Sequence, residues 1–204
     1  MPIVVAVSGP PGAGKTTLIH ELLGRIPDSV AIHLDDYESY TRMSSTEIQA
    51  WMSSNGDPND FDLCDLARDL QRLKQAPNDS HSKSTDGSIS QNIIFFETLF
   101  GRQHHETGQW IDYQIWIDLP ADLSLARNLQ MVLRRVLADR PENHTAGAEW
   151  VYQYLDHYNG FVRELLLTQQ QWIENQAEIV VDGTQDPATM SQQATELILL
   201  RCFP

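Results

Sequence analysis

Basic residues are scarce in this chain: 14 lysines and arginines stand against 28 aspartates and glutamates, a formal net charge of −14. A surface of that sign repels phosphate backbones and excludes a general nucleic-acid binder. Cysteine is almost absent. Cys64 and Cys202 are far apart and lack metal-ligand spacing, which fits two inert thiols in a reducing, cytoplasmic setting. None of the seven histidines has a second histidine four residues along, so a structural metal site is not expected. Long apolar runs are missing too. None approaches the roughly 20 residues that span a bilayer, which leaves no membrane partner. The apolar start of the chain has neither a basic leader nor a small-residue cleavage site, and reads as a buried strand.

What is present suits one α/β domain. With 204 residues, 41% of them hydrophobic and 21% charged, the chain can close one full core, and two would be cramped. Five short runs read as strands, at 3–8, 30–34, 93–97, 113–118 and 178–182. Each is nearly continuous in apolar residues, as a parallel sheet covered on both faces requires. Helical patterns lie between them at 14–24, 62–74, 122–139, 148–175 and 187–201. The aromatics Trp150, Tyr152, Tyr154, Tyr158 and Phe161 read as packing positions of the long fourth helix. Such alternation implies right-handed crossovers and a three-layer α/β/α domain over 1–204. Residues 76–92 break the pattern. They are almost all polar and turn-forming, the composition of a surface loop or a mobile hairpin.

In open parallel sheets, ligands sit beyond the carboxyl ends of the strands. The first strand runs directly into Gly9-Pro10-Pro11-Gly12-Ala13-Gly14-Lys15-Thr16, followed by Thr17. Every fixed position of the phosphate-loop pattern is filled, in the strand–loop–helix context the pattern needs. Its glycines let successive N–H groups turn inward as an anion nest, aided by the positive end of the following helix. Lys15 adds a cation for β- and γ-phosphates, and the Thr16 hydroxyl can ligate Mg²⁺. The partners implied are ATP, Mg²⁺ and a small acceptor.

Strand ends supply the other candidates. Asp35, in His33-Leu34-Asp35-Asp36-Tyr37, can take a proton from an acceptor hydroxyl, with Tyr37 beside it; a solvated acidic turn is the bland alternative. Glu97 and Asp118 each close an apolar strand, and either could serve Mg²⁺; the pattern favours Glu97. Arg102 could clamp a phosphate or carboxylate, and His105 could hydrogen-bond a substrate. Arg127, Arg134, Arg135 and Arg140 form a local basic excess on or beside one helix. A lid over approximately 127–147 would bring guanidinium groups to a transferring phosphoryl, with Arg134 and Arg140 as its catalytic candidates. The alternative is a basic face paired with surface acids. Gly183-Thr184 forms either a ledge for the base or a plain connection.

Taken together these residues resemble the uridine kinase and phosphoribulokinase-like group of P-loop kinases. The likeness runs through Lys15-Thr16, Asp35-Asp36-Tyr37, Asp57-Pro58-Asn59-Asp60-Phe61-Asp62, Phe96-Glu97, Ile117-Asp118-Leu119-Pro120 and Arg134-Arg135-Val136-Leu137-Ala138-Asp139. The resemblance implies a P-loop NTPase domain with sheet order 2-3-1-4-5 and a helical lid. It also implies ATP:hydroxyl phosphotransfer with Asp35 as base and Glu97 in the Mg²⁺ shell, and it places Asp57 at the substrate. A nucleoside is among the acceptors it implies. The chain departs from the group at Gly56, where nucleoside kinases carry Asp, at Glu97-Thr98 in place of Glu-Gly, and at Ala138-Asp139 in place of Arg-Asp. A P-loop ATPase that is not a kinase, or a nucleotide-binding regulatory module, is the competing reading. The Asn-Lys-x-Asp element of guanine switches is absent. Either a monomer or an oligomer is compatible with the composition.

Overall fold

The five apolar runs become β1 (Ile3–Ser8), β2 (Val30–His33), β3 (Ile93–Glu97), β4 (Tyr113–Asp118) and β5 (Ile179–Asp182). The computed structural model describes residues 1–37, 45–54, 56–76, 93–138 and 144–203. The strands pair in parallel in the order β2-β3-β1-β4-β5, the order implied by the resemblance.

Side-chain alternation along β1 builds the two covered faces. Val5 and Val7 enter a core with Leu18 and Leu22 of α1 (Lys15–Arg25) and with Ala194 and Ile198 of α8 (Pro187–Cys202). Val4 and Ala6 point the other way, against Leu66 and Leu70 of α3 (Cys64–Gln75). A strand buried on both sides cannot alternate polar and apolar residues, which is why these runs are continuous. Helices therefore cover both faces, and the carboxyl edge of the sheet is left for the phosphate loop.

The longer helices differ from expectation in two places. A further helix, α2 (Ser45–Ser53), precedes α3. Its apolar signal, Ile48 and Trp51 one turn apart, is too brief to stand out in the sequence. The long fourth helix is instead α6 (His144–His157), a π-helical turn at Tyr158–Val162, and α7 (Arg163–Glu174). A wider turn resets which side chains face the core. Tyr158 is buried, whereas Trp150 and Tyr152 are 48% and 73% exposed, so the aromatic set does not pack as one stripe. A short helix, α4 (His105–Gly108), and α5 (Ala121–Ala138) complete the elements used below. The polar loop expected at 76–92 lies, apart from Ala76, outside the described residues, as do 139–143 of the expected lid. No helix among the described residues is long and apolar enough to cross a membrane.

The start of α8 illustrates how local chemistry sets an element boundary. Asp186 accepts from the backbone N–H groups of Ala188 and Thr189 at 3.0 and 3.1 Å and from Thr189 Oγ1 at 2.6 Å, with Pro187 at the first helical position. These hydrogen bonds, led by that of the Thr189 side chain, hold the carboxyl below the ordinary range. A carboxyl depressed in the folded state adds stability above its unfolded pKa and loses it as pH falls through the folded value. Asp186→Ala should therefore lower the melting temperature near neutrality, with the deficit narrowing in acid. Thermal melts from pH 7 downward check this, and a deficit that stays constant into acid would exclude the charged cap.

Candidate active site

The phosphate loop is held from behind by α5. Gly12 has φ +73°, and a Cβ there would stand 3.1 Å from Arg127 Cβ and 3.2 Å from the Ser124 carbonyl oxygen. Gly14, at φ +91°, caps α1 in the left-handed conformation. Ser124 Oγ donates to the Pro11 carbonyl at 2.7 Å. Lys15 Nζ folds back to donate to the carbonyls of Gly9 and Pro10 at 3.0 and 3.3 Å. Burial pushes this ammonium below its ordinary value, opposed by the charges of Glu97 and Asp35. Those two carboxylates are thus felt at the lysine from the end of β3 and from the turn that follows β2.

Glu97 is the centre of the polar cluster. Thr16 Oγ1 lies 3.1 Å from each Glu97 carboxylate oxygen and donates to the carboxylate. His33 Nδ1 is 2.6 Å from Glu97 Oε2. Register explains both contacts: β3 lies between β1 and β2, with Val7 and His33 both opposite Glu97. Asp35 follows at once, in the 3₁₀ turn Leu34–Asp36. Asp118 sits across β1 on β4, opposite Asp182, where burial and the charges of Glu174 and Asp182 push its carboxyl up. The hydroxyl of Thr16 therefore meets Glu97 rather than Asp118. A hydroxyl and a carboxylate are hard oxygen donors of the kind Mg²⁺ takes, so the residues present fit the ion. His33 received no role from the sequence. Its position as the last strand residue before Asp35-Asp36 was the available signal.

The remaining expected residues separate. Tyr37 donates its hydroxyl to Asp69 of α3 at 2.7 Å, and burial together with that acidic partner pushes the phenol well above its ordinary range. Asp57 and His105 come together through Asn59. Its amide donates to Asp57 Oδ1 at 2.7 Å, and its Oδ1 accepts from the His105 backbone N–H at 2.8 Å. Arg102 requires a correction. Its guanidinium donates to the carbonyls of Gln176 and Asp112 at 2.9 Å and pairs with Glu178 at 3.0 Å. Asp112 and Glu178 precede β4 and β5, so this arginine braces the amino edge of the sheet, away from the phosphate loop. Arg127 donates to the Gly183 carbonyl at 2.8 Å and thereby ties α5 to the turn after β5. Arg134 and Arg135 are exposed on α5 and pair with no carboxylate among the described residues. Arg140 lies outside the described residues.

Beside Pro11 opens a cavity of about 220 Å³ that sequence reasoning did not anticipate. Trp51 of α2, Phe61, Phe100, and Leu166 and Trp172 of α7 contribute to its wall. These residues come from separated segments, and no local pattern joins them.

Two glycine substitutions separate the loop's geometry from general stability. Gly12→Ala places a methyl group against α5 at a positive φ, and ATP affinity should fall by about tenfold or more, ~1.4 kcal/mol. Gly24, on the exposed side of α1, has nothing within 4 Å of an added Cβ. Gly24→Ala should raise stability by about 0.4–1 kcal/mol with ATP affinity unchanged. Calorimetric ATP titration and urea unfolding of both variants provide the check.

Comparison with known proteins agrees with this geometry. No family model matches the chain. It is 26% identical over 165 residues to a uridine kinase of Staphylococcus haemolyticus, covering 75% of this chain and 76% of that protein. It is 24% identical over 166 residues to a uridine kinase of Clostridium tetani, covering 76% of each. Among solved structures, shikimate kinase from Acinetobacter baumannii in complex with shikimate superposes with a TM-score of 0.52 at 16% identity. The match covers 100% of this chain and 97% of that one. The chain is a distant homologue of the uridine kinases, built on the P-loop kinase fold.

Proposed function

We propose that the protein is an ATP-dependent small-molecule kinase that moves the γ-phosphoryl group to a hydroxyl. The observation that carries this reading is the convergence of Lys15, Thr16, Glu97 and Asp35 at the carboxyl ends of three adjacent strands. A nucleotide-binding module needs the loop and its lysine. A kinase needs in addition a carboxylate on the neighbouring strand end to receive the acceptor's proton.

Each residue then has a separate task. The loop N–H groups and the α1 terminus bind the triphosphate, and Lys15 exchanges its Gly9 and Pro10 carbonyls for phosphate oxygens. Thr16 and Glu97 would hold Mg²⁺, which supplies neutralisation of the phosphate charge when bound. His33 fixes the orientation of the Glu97 carboxylate. Asp35 orients the acceptor hydroxyl and takes its proton as oxygen attacks the γ-phosphorus, while the bond to the bridging oxygen breaks and ADP leaves. Arg134, and Arg140 beyond α5, are assigned to the lid side. Tyr37, Asp57 and His105 are assigned to the acceptor side, where Asp57 adjoins the cavity residues Gly56 and Pro58.

The roles divide under mutation. Lys15→Ala should leave weak ATP binding and remove most turnover. Asp35→Asn keeps size but cannot accept a proton, so kcat should fall by about 10²–10⁴-fold with ATP affinity little changed. Glu97→Gln should shift activity to higher Mg²⁺ concentration. ADP release measured with and without an alcohol panel, across a Mg²⁺ titration, tests all three. ADP release that ignores every acceptor would sink the kinase reading, and Mg²⁺ rescue of Asp35→Asn alone would exchange the two carboxylate roles.

A further inference from the structure

The cavity beside Pro11 adjoins the phosphate loop, yet none of its described lining residues carries a charge. One wall is a preformed aromatic surface. The rings of Trp51 and Phe61 meet edge to face at 5.1 Å, and Phe61 stacks on Phe100 at 5.1 Å. The facing wall is α7, through Leu166 and Trp172. Two of the polar groups on this surface are engaged with backbone. Trp51 Nε1 donates to the Asp57 carbonyl at 2.9 Å, and the Gln169 side-chain amide donates to the Leu99 carbonyl. Gly56 adds no side chain. Arg102, the cation nearest in sequence to Phe100 and Gln103, is held at the amino edge of the sheet by Glu178 and two carbonyls.

These walls discriminate by chemistry. A carboxylate or phosphate on the acceptor would lose its water here without finding a cation among the described lining residues. A polyhydroxylated body would leave hydroxyls without partners, which is the stronger source of rejection in a buried site. An apolar body releases ordered water from both walls and stacks on the rings already in place. We infer that the acceptor is an uncharged alcohol with an apolar, aryl-bearing body, seated between the Trp51–Phe61–Phe100 wall and α7 with its hydroxyl toward Pro11 and the phosphate loop. This inference rests on the kinase reading. In the transfer, the alcohol oxygen forms its bond to the γ-phosphorus, the bond to the bridging oxygen breaks with its electron pair leaving on ADP, and the alcohol proton passes to Asp35.

The test uses the full chain with ATP and Mg²⁺ and three probes: 2-phenylethanol, its carboxylate-bearing counterpart 3-phenyllactate, and uridine. Binding is followed by tryptophan fluorescence and transfer by acceptor-dependent ADP release. The aryl alcohol should support ADP release and bind about tenfold or more tightly than either other probe. Leu166→Glu should weaken its binding by about tenfold or more, and Leu166→Met should change it little. ATP-dependent thermal stabilisation of the same variants reports that the fold is intact. Equal or tighter binding of uridine or phenyllactate overturns the inference and leaves the kinase reading standing. Selective binding of the aryl alcohol without its supporting ADP release overturns the acceptor role and leaves the kinase reading to the wider alcohol panel.

Discussion

Thr16 and Glu97 are 81 residues apart in the chain, and the seating of β3 between β1 and β2 is what brings them to hydrogen-bonding distance. A parallel sheet sets all its carboxyl ends along one edge, so the last residue of each strand and the first of the loop beyond it share a small volume. Val7, Glu97 and His33 occupy one rung of the ladder. Lys15, Asp35 and Glu97 therefore interact although no two of them belong to the same local element. A slip of one residue in β3 would turn Glu97 to the opposite face and take its carboxylate from Thr16.

An acidic chain that carries a phosphate loop has to concentrate its positive potential there. Here that potential is built from backbone as much as from side chains, through the N–H groups of a glycine loop and the amino end of α1. Lys15 is the one full charge in the loop, and it is held folded against Gly9 and Pro10. Burial works against its charge, and the carboxylates of Glu97 and Asp35 work for it. The α5 segment packs against the loop from behind, since a Cβ at Gly12 would stand 3.1 Å from Arg127 Cβ and 3.2 Å from the Ser124 carbonyl oxygen, close enough to force a shift. Arg127 is thereby a brace of the loop and of the Gly183 turn, a different duty from the lid role its sequence neighbourhood implied.

The cavity beside Pro11 follows other rules. Its wall is drawn from α2, the Gly56–Phe61 stretch, the Leu99–Gln103 stretch and α7, which meet only in the folded chain. Distant homology to uridine kinases extends over about three quarters of the sequence. A pocket assembled from separated segments can change its chemistry by substitution in any of them while the phosphate loop stays as it is.

The sequence by itself determined the nucleotide end of this protein. The phosphate loop is eight contiguous residues whose glycine conformations and lysine are dictated locally, and the strand runs that feed it are legible because burial on both faces makes them continuously apolar. Asp35 and Glu97 were legible for the same reason, as polar residues that end such runs. Tertiary structure alone decided the rest. It selected Glu97 over Asp118 through strand order, enlisted His33 through register, and drew Arg102 to the far edge through Glu178. It also split the long helix at Tyr158–Val162 and closed a cavity next to Pro11 whose described lining residues carry no charge. Strand order, register and cavity walls depend on contacts between residues tens of positions apart, and a local pattern carries no record of which distant face it will meet.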